Sequence, residues 1–80
     1  MITSAWYLAI YINQNNNWKL SVQRAMDEKQ CLWIARDKWK KYWLSGNEDD
    51  SKLRLKCYDD NNRTQYWITC TRYDSCSIKG

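Results

Sequence analysis

Apolar and polar residues alternate in four short runs, and a helical spacing governs the long stretch between the second and third. A period of two belongs to a strand with one buried face, and a period near 3.6 to a helix with one buried stripe. Few arrangements hide all five apolar surfaces in so short a chain. The pattern predicts an α+β fold: a four-stranded antiparallel sheet in the order β-β-α-β-β, with one helix packed on one face.

The first hairpin is expected over 4–24. Trp6, Leu8, Ile10 and Ile12 alternate, Asn13 to Asn17 reads as a five-residue polar loop, and Trp18, Leu20 and Val22 alternate again. Pairing Ile12 with Trp18 sets all seven on one face and leaves Tyr7, Tyr11, Lys19 and Gln23 on the other. A helix is expected over 27–45. Asp27 suits its N-cap, with Gln30 three residues on, and Met26 is placed to pack on Cys31. Gly46 fits the left-handed position after its end. Cys31, Leu32, Ala35, Trp39, Tyr42 and Trp43 form the inward stripe, while Trp33, Arg36, Lys40 and Leu44 point away.

The second hairpin is expected over 52–72, with Asn61-Asn62 in its turn. That register sets Leu53 against Cys70, Leu55 against Ile68 and Cys57 against Tyr66 on the buried side. Lys52, Arg54, Lys56, Tyr58 and Trp67 fall outside; slipping by one residue would bury three cations. Residues 73–80 read as a tail.

Eighty residues make one small domain of marginal stability, and six Trp and six Tyr compensate in part by the area each ring buries. No His is present, which removes the commonest general base and metal ligand. There is no Gly-rich phosphate loop and no nucleophile elbow. A non-enzymatic protein with no cofactor and no metal is therefore expected. Asp49-Asp50 and Asp59-Asp60 read as solvated turns. Cys31, Cys57, Cys70 and Cys76 contain no Cys-x-x-Cys pair. With no leader-like N-terminal segment, free thiols in a reducing cytosol are expected, a disulfide or a metal being the alternatives. The apolar run from Ala5 to Ile12 is too short to span a bilayer, so no membrane partner is expected.

The stretch Trp33 to Trp43 holds most of the functional signal, with four aromatic and four basic residues among eleven. Cations beside aromatic rings suit phosphate contact and base stacking. The net charge of +4 favours a polyanion, though a solvated basic helix face is the plainer explanation. The candidate nucleic-acid-binding residues are Arg36, Lys38, Lys40, Lys41, Arg54 and Lys56 for phosphates, with Trp33 and Trp67 for stacking. Protein recognition accounts for an exposed Trp33 equally well. The uncovered sheet face serves either as a single-stranded RNA platform or, through the face or its edge, as a homodimer interface.

Trp33 to Leu44, with Trp6-Tyr7-Leu8 and the small, basic, proline-free layout, resembles the early proteins of T4-type bacteriophages. Within that group the chain is most similar to inhibitors of the endoribonuclease toxin of type III toxin–antitoxin systems. The resemblance implies a homodimeric antitoxin in the host cell cytoplasm that binds RNA and the host toxin together. Arg36, Lys38, Lys40 and Lys41 would contact the RNA. The alternative is a protein-only inhibitor that binds a host enzyme through the aromatic and basic helix face.

Overall fold

A computed structural model describes residues 5–61 and 63–80. Strands β1 (Trp6–Gln14) and β2 (Asn17–Ala25) precede helix α1 (Glu28–Leu44) and a 3-10 turn (Asp50–Lys52). Strands β3 (Leu53–Asp59), β4 (Gln65–Cys70) and β5 (Cys76–Lys79) follow. They form one five-stranded sheet in the order β2-β1-β3-β4-β5, with every neighbouring pair antiparallel. The α+β class and the single helix agree with the sequence pattern. The sheet has five strands rather than four, because part of the expected tail over 73–80 is β5, paired with β4 from Trp67↔Lys79 to Cys70↔Cys76. A four-residue strand carries too little alternation to register as a period.

The helix begins where Asp27 accepts the Gln30 amide at 2.8 Å, and the Gln30 side chain takes the Met26 amide in return at 2.5 Å. Met26 itself does not staple onto Cys31; its side chain is exposed. Gly46, with φ of 88°, turns the chain out of the helix. Trp39 is wholly buried at the centre of the helix–sheet layer, and its indole donates to the Ile68 carbonyl at 2.8 Å. Trp43 repeats the device one turn on, donating to Cys70 at 2.9 Å. Burying one such ring is worth about 4–6 kcal/mol, and the hydrogen bond removes the cost of its N–H. Leu8, Leu55, Ile68, Cys57 and Ala35 complete this core.

The first hairpin differs from expectation in a way that matters. Gln14 pairs with Asn17 and Ile12 with Lys19, so Asn15 and Asn16 alone form the turn, at φ of 54° and 65°. Two positive φ angles are the mark of a type I′ turn, whose twist matches the strands better than a five-residue loop does. The one-residue change of register turns β2 over. Lys19, Ser21 and Gln23 now lie on the helix side, while Trp18, Leu20, Val22 and Arg24 lie on the uncovered side with Tyr7 and Tyr11. In the second hairpin Leu55↔Ile68 and Cys57↔Tyr66 pair as expected. The expected Asn61-Asn62 turn lies partly outside the described residues. Asp59, buried, accepts the Arg63 amide at 3.0 Å.

All four cysteines are bonded rather than free: Cys31 to Cys57, tying α1 to the central strand β3, and Cys70 to Cys76, tying β4 to β5. The thiol expectation rested on the N-terminus and on motif spacing, neither of which reports which sulfurs the fold brings together.

Tyr66 sits between sheet and helix with its hydroxyl buried, and no hydrogen-bond partner reaches it among the described residues. Burial foremost, then the field of the Glu28 carboxylate, pushes its pKa up to about 12. Ionisation is therefore harder in the folded than in the unfolded chain, whose tyrosines titrate near pH ~10. The resulting stability is fully present below pH ~10 and is lost as pH climbs towards ~12. Alkaline unfolding followed by circular dichroism should start in that window, and Tyr66→Phe should flatten it. At neutral pH the variant gives up only the approach of the hydroxyl to Glu28, so it should cost about 1 kcal/mol or less there.

Candidate nucleic-acid interface

The helix covers one face of the sheet only. Alternation then dictates what the other face shows: Tyr7, Ala9, Tyr11 and Asn13 from β1, Trp18, Leu20, Val22 and Arg24 from β2, and Arg54, Lys56 and Tyr58 from β3. Strand β4 adds Gln65, Trp67 and Thr69, and β5 adds Ser77 and Lys79. Five aromatic rings and four cations share this surface. Among the described residues, no strand position facing this way is acidic.

The rings and charges interleave rather than segregate. Tyr7 stacks with Tyr58 at 5.6 Å between centroids, and Tyr11 leans on Trp67 at 5.7 Å. The Lys56 ammonium lies 5.3 Å from the Trp67 ring and 5.5 Å from Tyr58, and the Arg54 guanidinium 5.6 Å from Trp18. A shallow hollow of about 330 Å³ opens between Tyr11, Trp18, Arg54 and Trp67. A second, of about 390 Å³, continues it past Trp67 and Thr69 to Ser77 and Lys79. Together they make a trough that crosses the strands from β2 to β5, floored by rings and edged by cations.

Of the residues nominated from sequence, Arg54 and Trp67 line this trough, and Lys56 lies beside it over the Trp67 ring. Arg36, Lys38, Lys40, Lys41 and Trp33 lie on the helix, in the opposite layer. Their charge is partly spent: Arg36 grips Asp74 through both its Nε, at 2.8 Å, and its Nη2, and Lys41 pairs with Asp37 at 3.0 Å. The hydrogen bonds from Arg36 hold the Asp74 carboxyl below the usual carboxylate range. Trp33 is 68% exposed and borders a groove of about 640 Å³ with Met26, Ile34 and Lys38.

Trp18, Leu20 and Val22, expected on the covered face, and Arg24 and Lys79, assigned to neither, all lie on the uncovered face. The signal that recovers the first four is the Asn-Asn dipeptide at 15–16, a two-residue turn former. Lys79 has no comparable signal. Among the described residues no group of three metal-binding side chains converges, and no helix is long and apolar enough to cross a membrane. Compared with protein-family models, curated proteins and solved structures, the chain gives no match.

Proposed function

We propose that this protein binds single-stranded RNA on the uncovered sheet face and performs no catalysis of its own. One observation carries the reading: aromatic rings and cations that form no ion pair among the described residues occupy a sheet face on which no described strand position is acidic. Every base has a π-face that can stack on Tyr11, Trp18 or Trp67, whatever its identity. Arg54, Lys56 and Lys79 lie beside those rings and Arg24 beside Tyr7, where a backbone crossing the face places its phosphates. Self-association of two such faces would set like charges against one another, which disfavours the face-to-face dimer and favours a polyanion.

Titrating a fluorescent oligonucleotide at two salt concentrations tests this. Four phosphate contacts to a single strand predict a slope of log K against log salt of about −3, or roughly 50-fold weaker binding at 200 than at 50 mM. Binding that is absent at the lower salt, or indifferent to salt, would refute it. A DNA oligonucleotide of the same sequence shows whether the 2′-hydroxyl contributes.

The narrower form of the proposal is the phage antitoxin, in which the bound RNA and a host endoribonuclease toxin form one complex in the host cytoplasm. It requires the toxin to co-purify with this chain and to be lost on RNase treatment. The exposed Trp33 and Leu44 favour a second reading, a protein-only inhibitor acting through the helix. Its complex would survive RNase and fail on Trp33→Ala.

A further inference from the structure

Strand β2 forms one edge of the sheet, and among the described residues no strand pairs with its outer side. The edge is nine residues long with unbroken register, contains no proline, and exposes Trp18, Leu20 and Val22 by 46%, 57% and 51%. Such an edge is a template for another strand unless something covers it. The opposite edge, β5, spans four residues and presents Ser77 and Lys79 on the uncovered face.

Backbone geometry fixes which groups β2 offers. The two-residue turn makes Gln14 and Asn17 the hydrogen-bonded closing pair, and bonded and non-bonded pairs alternate from there. Asn17, Lys19, Ser21, Gln23 and Ala25 therefore bond β1, and Trp18, Leu20, Val22 and Arg24 aim their amides and carbonyls outward.

We infer that β2 pairs antiparallel with β2 of a second copy, about a two-fold axis through Ser21. In that register Trp18 faces Arg24 of the second copy, Leu20 faces Val22, Lys19 faces Gln23, and Ser21 faces itself. Every apolar side chain meets an apolar one or a cation that can lie on its ring, and no like charges are opposed. All four outward residues find hydrogen-bonded partners, giving about eight inter-chain main-chain bonds. Sliding by two residues either way loses one bonded pair and parts Arg24 from Trp18. A slide by four towards the turn sets Lys19 against Lys19. The full overlap is thus also the register with the best side-chain pairing.

The axis stands perpendicular to the sheet, so both uncovered faces point the same way. Ten strands at the usual spacing of about 4.8 Å give a surface roughly 45 Å wide, with the two Trp18 rings about 20 Å apart along the seam. The dimer does not depend on RNA binding; a continuous platform is what it adds to that reading.

The test uses the disulfide-intact chain without nucleic acid. Light scattering over a dilution series should give twice the 9.8 kDa chain mass at the upper concentrations. Ser21→Cys should cross-link two chains under mild oxidation. Gln23→Cys should not, since its two copies lie about 13 Å apart along the strands. The double variant Leu20→Lys/Val22→Lys opposes lysines across the axis at two exposed positions. It should stay monomeric throughout the dilution series, with the melting temperature of the wild-type chain at high dilution. A monomer at every concentration, or equal cross-linking by the two cysteine variants, would overturn the inference without touching the RNA proposal.

Discussion

Replacing Cys31 and Cys57 together by alanine is expected to lower the melting temperature by roughly 15–25 °C. The bond closes a loop of 26 residues, and constraining the unfolded chain to that extent is worth about 3.5 kcal/mol. An 80-residue domain has only about 4–12 kcal/mol in all, and each kcal/mol moves its melting point by about 4–8 °C. Alanine is the right replacement, because both sulfurs are fully buried and serine would add unpaired hydroxyls. The Cys70–Cys76 bond closes only six residues, so Cys70→Ala/Cys76→Ala should cost about 2 kcal/mol. That loss would fall on β5, and Lys79 would leave the trough with it. Differential scanning calorimetry of the two variants and of the reduced protein gives the comparison. A melting point unmoved by reductant would show that neither bond contributes. The same bonds bear on the cytoplasmic setting, where they would have to form against a reducing glutathione pool.

The helix and the second hairpin were legible because several independent signals coincide there. The Asp27 cap, the inward stripe through Cys31, Ala35 and Trp39, and Gly46 all mark one helix. At 52–72 the cost of burying Lys52, Arg54 and Lys56 fixes the register by itself. No such penalty guards β2: Trp18-Lys19-Leu20-Ser21-Val22-Gln23 alternates equally well in either register. The helix meets this edge strand in the core only at its end, at Ala25, so no buried position over 18–23 selects the face. Turn chemistry at Asn15-Asn16 decides instead, and apolar side chains that would ordinarily be read as core end up exposed. Reading Trp18, Leu20 and Val22 onto the covered face, together with the unseen β5, hid part of the trough. Linear density of charge is highest on the helix, but there Asp74 and Asp37 answer Arg36 and Lys41.

Which layer meets the nucleic acid can be decided by paired variants. Arg54→Ser/Lys56→Ser should cut the salt slope from about −3 to about −1.5, because each lost phosphate contact removes about 0.7. Lys38→Ser/Lys40→Ser, which removes the same charge from the helix, should leave the slope in place and shift affinity only through the weakened overall field. Trp18→Ala and Trp67→Ala should each weaken binding by about 1–3 kcal/mol, or roughly 5- to 150-fold, if a base stacks on the ring. Trp18 is the cleaner probe, since its ring is half exposed and meets Arg54 rather than the core. Trp67 supports Tyr11 and Lys56, so its variant must be matched for melting temperature before affinity is compared. Equal slopes in the two double-serine variants would mean that position on the fold is irrelevant and that net charge alone attracts the ligand. A collapse of the slope in the helix variant would return the site to Lys38 and Lys40. Loss confined to the sheet variants, with stacking and salt terms removed separately, is the outcome that a built single-strand platform requires.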